Sequence, residues 1–190
     1  MSIDSKDAEK SLHLIKQAQT AQEAVGAAEV GCFLLIWGIV WLIGFLMSHY
    51  APASWLLWSW LLLCLLGSAF SAVVGIRLGQ QVQYRQTGSK LGLFYPALLG
   101  FSLLWLYLAR PMSWQQTAVL SITFLGFATV VNGILLKERV LAAVGLASTV
   151  LAVVVYLWLL PQFGLIMGIV GGGGMILAGL RFLLAGRPDE

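Results

Sequence analysis

The sequence predicts an all-α integral membrane protein of six transmembrane helices, arranged as three helical hairpins, with both termini cytoplasmic. Three observations predict it: the chain is 59% apolar and only 10% charged, its charge-free stretches are long, and its lysines and arginines crowd one set of short connections. A soluble domain carries roughly 25% charged residues, so the deficit separates this chain from that class. A formal net charge of +3 in a soluble protein would raise nucleic acid as a partner. Here the bases flank apolar segments, so the charge reads as topology; the expected partner is the lipid bilayer and nucleic acid is not expected.

The first element is a cytoplasmic amino-terminal helix within residues 1–29. Over 5–28, Ile15, Ala18, Ala21, Val25 and Ala28 fall near one seam, and Leu12 and Leu14 widen the apolar surface. The seam is too short and too rich in alanine to specify a coiled coil. Four readings remain: a helix along the membrane, one docked on the bundle, one that meets a cytoplasmic protein partner, or a plain extension of the first span.

The transmembrane domain follows over 30–184, with spans at about 30–48, 54–76, 91–109, 115–136, 140–160 and 162–184. Each holds roughly 20 residues, the length needed to cross ~30 Å of hydrocarbon as a helix. Runs such as Leu61-Leu62-Leu63 do not alternate, which argues against barrel strands. Residues 185–190 form a cytoplasmic tail. With the amino terminus inside, ten of the eleven basic residues face the cytoplasm and only Arg110 lies outside. All eight carboxylates fall on the inner side as well. The first span is preceded by a long charged segment and no cleavage site follows it, so it reads as an uncleaved anchor in a plasma (inner) membrane.

Each outer turn contains a proline: Pro52, Pro111 and Pro161. Near the inner end of the second helix of each pair, a glycine precedes aliphatic residues and then a base. These are Gly75-Ile76-Arg77, Gly133-Ile134-Leu135-Leu136-Lys137 and Gly179-Leu180-Arg181. The pattern suggests three diverged copies of one hairpin. On this pattern, residues 30–184 resemble the HdeD-like acid-resistance membrane proteins, which implies a small six-helix stress-response protein and carries no site residue across. The amino-terminal helix and the inner segment 77–90 depart from that family. A weaker resemblance is to the vitamin-binding S-components of energy-coupling transporters, whose outer loops are larger than these.

Two small-residue faces follow from the glycine spacing. The second span places Gly67, Ser71, Gly75 and Gly79 four residues apart; the sixth places Gly164, Gly168 and Gly172 likewise. Such faces let helix backbones meet where lipid supplies little drive for association, either within the bundle or in a homo-oligomer. Gly171 to Gly174 also permit a sixth helix that is broken, with free backbone groups facing a substrate.

Seven of the eight tryptophans fall in the outer half, Trp37 lies near mid-depth, and none marks the inner interface. An interfacial belt accounts for Trp55, Trp114 and Trp158. Trp37 and Trp41 sit deeper and share one helix face, and with Trp105 they form the candidate ligand cavity, apolar and opening outward. Catalysis is not expected: the two histidines, His13 and His49, lie outside the membrane interior, and no carboxylate occurs in any span. Asn132, the one amide deep in a span, reads as a helix-joining group. Cys32 and Cys64 sit at different depths and read as packing thiols, so neither metal nor cofactor is expected. The expectation is a non-enzymatic accessory, stress-response or sensory component acting through protein or lipid contacts. The alternative is a transporter or ligand-binding protein for a neutral or hydrophobic solute.

Overall fold

A computed structural model describes the backbone of residues 5–79, 85–135 and 138–185, and side chains chiefly within 27–77, 97–135 and 138–184. Among these the regular structure is entirely helical. Helix α1 runs Ser5–Tyr50, α2 Ala53–Gly79, α3 Arg85–Leu108, α4 Trp114–Leu135 and α5 Arg139–Trp158. A 3₁₀ turn, Leu160–Gln162, then leads into a short helix α6, Phe163–Ile166. A π-helical segment, Met167–Gly172, joins α6 to α7, Gly173–Ala185.

Among the described residues, five helical segments are long and apolar enough to cross a membrane: Ala27–Tyr50, Ala53–Arg77, Trp114–Leu135, Arg139–Trp158 and Leu160–Leu184. Each starts and ends within three residues of a span expected from sequence. The expected third span, 91–109, lies in α3, whose described apolar part is the shorter Ala97–Leu108. The seam expected at Ile15, Ala18, Ala21 and Val25, the surroundings of Gly79 and the tail beyond Ala185 lie outside the described side chains.

Prolines terminate the helices at one end of the bundle. Pro52 follows α1, and the residue before a proline is steered away from the helical region. The Ala51 N–H still reaches the Met47 carbonyl at 2.7 Å, closing the last turn. Pro161 sits in the first turn of the 3₁₀ helix, where its missing N–H costs nothing. After Pro111, α4 begins with a reciprocal cap. The Ser113 N–H donates to Gln116 Oε1 (2.9 Å), and the Gln116 N–H donates to Ser113 Oγ (3.2 Å).

The helices pair antiparallel through glycine. Along α1 and the last span, Gly31 meets the Gly179 carbonyl, Gly38 meets the Gly172 carbonyl and Ile176, and Gly172 faces the Leu42 backbone. Further along, Gly168 lies against Leu46 and Leu42, and Gly164 against the Phe45 carbonyl and His49. A second seam joins α4 to α5, where Gly126 faces Gly145 and Thr149, and Gly133 faces Ala142. The closest pairing of α1 thus joins the first element to the last, across the sequential hairpins.

Helix α2 packs mainly on α1. Trp60 enters a notch that Gly44 and Ser48 leave on α1: its ring lies where a Gly44 Cβ would stand, and its Nε1 donates to Ser48 Oγ at 2.9 Å. The Ser48 hydroxyl in turn donates to the Gly44 carbonyl at 2.8 Å. Two turns further along α2, Gly67 is buried against Val40 and Ile36. The four-residue face of α2 does not continue as a seam. Gly75 has no atom within 4 Å of where a Cβ would sit. Helix α3 touches chiefly α4.

Candidate functional site

The core forms at the Arg110 side of the bundle's middle and is aromatic. Val40, Trp41 and Phe45 come from α1, Ile122 from α4, Ala152 and Val155 from α5, Phe163 from α6 and Met167 from the π segment. Edge-to-face rings connect four helices through it. Phe45 meets Trp41 at 5.6 Å, Trp60 at 5.0 Å and Phe163 at 6.0 Å, and Phe163 meets Trp114 at 5.7 Å. Each such pair adds about 0.5–1.5 kcal/mol beyond its buried area. In lipid, where helices gain little from leaving solvent, this lattice and the glycine seams carry the assembly.

Of the three tryptophans expected around a ligand cavity, the structure brings two together. Trp41 is buried in the core, its ring 3.4 Å from where a Gly171 Cβ would stand. Trp37 packs beside that core and against Phe33, with ring centroids 6.0 Å apart. Trp105 does not join them: it lies on α3 and is 52% exposed, outside the core cluster. The reason is that α3 packs chiefly on α4, away from the face of α1 that bears Trp37 and Trp41. Trp55 and Trp158 are exposed, as an interfacial position requires. Trp114, expected beside them in the belt, instead turns its ring inward onto Phe163.

The last span is continuous through Gly171–Gly174 and has no break there. Its irregularity is the π segment, which takes in Gly171 and Gly172, and ordinary α geometry resumes at Gly173. The glycines of this run divide by direction. Gly171 and Gly172 face Trp41 and α1, while Gly173 and Gly174 have nothing within 4 Å.

A groove that sequence reasoning missed opens at the Arg110 end, between the α3–α4 turn, α4 and α5. It is an open groove of about 320 Å³, lined by Ala109, Pro111, Met112, Gln116, Val119, Leu120, Thr123 and Tyr156. The lining is chiefly aliphatic, because the first two turns of α4 present Val119 and Leu120 on one side. The polar groups at its edge are already oriented. Gln116 Oε1 is held by the cap, and Thr123 Oγ1 donates to the Val119 and Leu120 carbonyls at 2.8 Å. Arg110 stands between two lining residues, with its guanidinium carbon 5.8 Å from the centre of the Tyr107 ring. Only the sequence pair Arg110-Pro111, the lone base of its side, pointed to this place.

Among the described residues no three His, Cys, Asp or Glu side chains gather as a metal site requires. No family model, curated protein or solved structure matches the chain.

Proposed function

We propose that this chain is a non-enzymatic plasma-membrane protein of six spans with both ends cytoplasmic, an accessory, stress-response or sensory component working through protein or lipid contacts. The observation that carries the proposal is α1. It runs unbroken for 46 residues, and only Ala27–Tyr50 qualifies as a span. Residues 5–26 therefore prolong the same helix by about 33 Å beyond the apolar part, at 1.5 Å per residue.

Inside the bundle that helix contributes Val40, Trp41 and Phe45 to the core and lies along the last span through Gly31 and Gly38. A rigid arm continuous with the central helix delivers a displacement or a bound partner directly to the packed core, which suits a contact or sensing role. The stress-response part of the proposal rests on the HdeD-like hairpin pattern. A second reading, a binder of neutral solutes, draws on Trp41 lying beside Gly171 and the π segment.

Deleting residues 2–26 separates the two. The contact reading expects the shortened protein to insert and remain monodisperse, because its helix contacts lie within the spans, while losing a cytoplasmic partner crosslinked by the intact chain. Tryptophan fluorescence titrations with neutral solutes run in parallel on both forms. Identical crosslinking profiles together with a saturable fluorescence change would overturn the contact reading in favour of solute binding.

A further inference from the structure

The groove beside Arg110 deepens the lipid-contact side of the proposed function and rests on the membrane-spanning reading. Its volume, about 320 Å³, lies at the small end of the ~300–1,000 Å³ range of ligand sites. Its walls are Ala109, Pro111, Met112, Val119 and Leu120, and it lies beside the first turns of a span, where acyl chains give way to headgroups. Arg110 is exposed at this level. No Asp or Glu occurs anywhere from residue 30 to residue 137. The next carboxylate, Glu138, lies at the far end of α4, about 33 Å away at 1.5 Å per residue. The guanidinium therefore has no counter-charge from its own span or its neighbours, and it rests on the Tyr107 face with its N–H groups available. An open apolar groove whose lining residues Ala109 and Pro111 flank an exposed arginine with no counter-charge is complementary to a lipid that carries a phosphate.

We propose that this groove holds one acyl chain of an anionic phospholipid whose phosphate is bound by Arg110. A planar guanidinium binds phosphate oxygens in pairs, which a lone ammonium does not. Gln116 Nε2 and the Tyr156 hydroxyl supply further polar groups at the groove for the glycerol ester oxygens.

The test uses the full chain in detergent, with phosphatidylglycerol carrying a photoactivatable group in one acyl chain. Illumination should place the label on the peptides containing residues 109–123 and Tyr156. Retention of unlabelled lipid is read by native mass spectrometry. Wild type should hold one phosphatidylglycerol about tenfold more tightly than phosphatidylcholine or diacylglycerol, the preference expected of one charge-assisted contact. Arg110→Gln should remove that preference, and Ala109→Trp, which fills the groove, should remove retention of all three. Leu108→Trp, at an exposed position outside the lining, should leave both unchanged.

Label spread evenly over α2 and α5, or equal retention of the three lipids by wild type, would overturn the proposal. So would displacement of phosphatidylglycerol by inorganic phosphate alone, which would mark a site for a free anion. These outcomes leave the amino-terminal crosslinking experiment untouched, so a failed lipid site and a failed contact function are told apart.

Discussion

At the scale of single residues, neighbouring glycines in one run have opposite roles, and the structure predicts opposite signs for the same substitution. A Cβ at Gly172 would stand 2.6 Å from the Leu42 amide nitrogen and 2.8 Å from the Gly38 carbonyl, both backbone atoms that cannot rotate away. Gly172→Ala should therefore push α1 and the last span apart and cost about 1–3 kcal/mol, the usual range for overpacking. At Gly173 a Cβ meets nothing within 4 Å, and alanine is the better helix former. Gly173→Ala should leave stability unchanged or raise it by about 0.5–1 kcal/mol. Thermal unfolding of the two variants in one detergent checks the pair; a loss at Gly173 equal to that at Gly172 would mean that the seam does not run where α1 lies. The Trp60–Ser48 bond is a second residue-scale test. Interhelical hydrogen bonds in membranes contribute about 0.6 kcal/mol on average and up to about 1.7. A double-mutant cycle with Ser48→Ala and Trp60→Phe should return a coupling in that range. A coupling of zero would reduce Trp60 to a ring filling the space above Gly44.

At the scale of elements, the five long spans were legible because each is a long apolar run with charge only near its ends, and most are bounded by a proline or a base. Their internal pairings were legible only in part. Spacing of four on the sixth span led to Gly164, Gly168 and Gly172, which lie on α1; the same spacing on the second led to Gly67, which also lies on α1, and to Gly75, where a Cβ would meet nothing within 4 Å. The spacing that recurs along the seams is seven: Gly31 and Gly38, Gly126 and Gly133, Gly172 and Gly179. Residues seven apart stay on the contact line of helices that coil gently left-handed, which is the common arrangement in membrane bundles. Nothing in a single sequence ranks one small-residue period over another, and the partner helix decides it. Trp105 stands apart from Trp37 and Trp41 for the same reason, since depth is readable from topology but the direction of α3 is not. The π segment gives an element-scale prediction. A π segment inside an α-helix amounts to one extra residue accommodated without turning the flanks. Removing the exposed Val170 should let Met167–Gly172 relax to α geometry while Gly164 and Gly179 both keep their places on α1. Removing Leu177 from the α-helical stretch instead turns Gly179 by about 100° from its seam, since an α-helix has 3.6 residues per turn. The first deletion should stay monodisperse with a small loss of melting temperature, the second should aggregate, and equal behaviour of the two would contradict the π assignment.

At the scale of the whole molecule, packing is uneven. Helices α1, α4, α5 and the last span share the aromatic core and both glycine seams, whereas only 6% of the most apolar window of α2 is buried. Such a layout is stable only if lipid covers the remaining surface, because Leu57, Trp58, Leu62, Leu65 and Phe70 on α2 are all more than half exposed. The bilayer is thus part of the fold, and its two sides are told apart by charge. Among the described residues, Arg110 is the one arginine or lysine at the end that also carries Tyr50, Pro52 and Pro161, while Arg77, Glu138, Arg139 and Arg181 mark the other. Short, basic connections are retained on the cytoplasmic side, so the Arg110 end should face outward. Two thiols test this directly. Cys32 and Cys64 are both half-buried and would give background labelling, so both are first replaced by Ala. Tyr50, 74% exposed in the α1–α2 turn, and Glu138, in the α4–α5 turn, are then changed singly to Cys. An impermeant maleimide added to intact cells should label Tyr50→Cys within minutes and leave Glu138→Cys unlabelled until the membrane is opened. Labelling of Glu138→Cys from outside, with Tyr50→Cys protected, would invert the molecule. It would also move the groove beside Arg110 to the cytoplasmic leaflet, where the amino-terminal arm of α1 would no longer be.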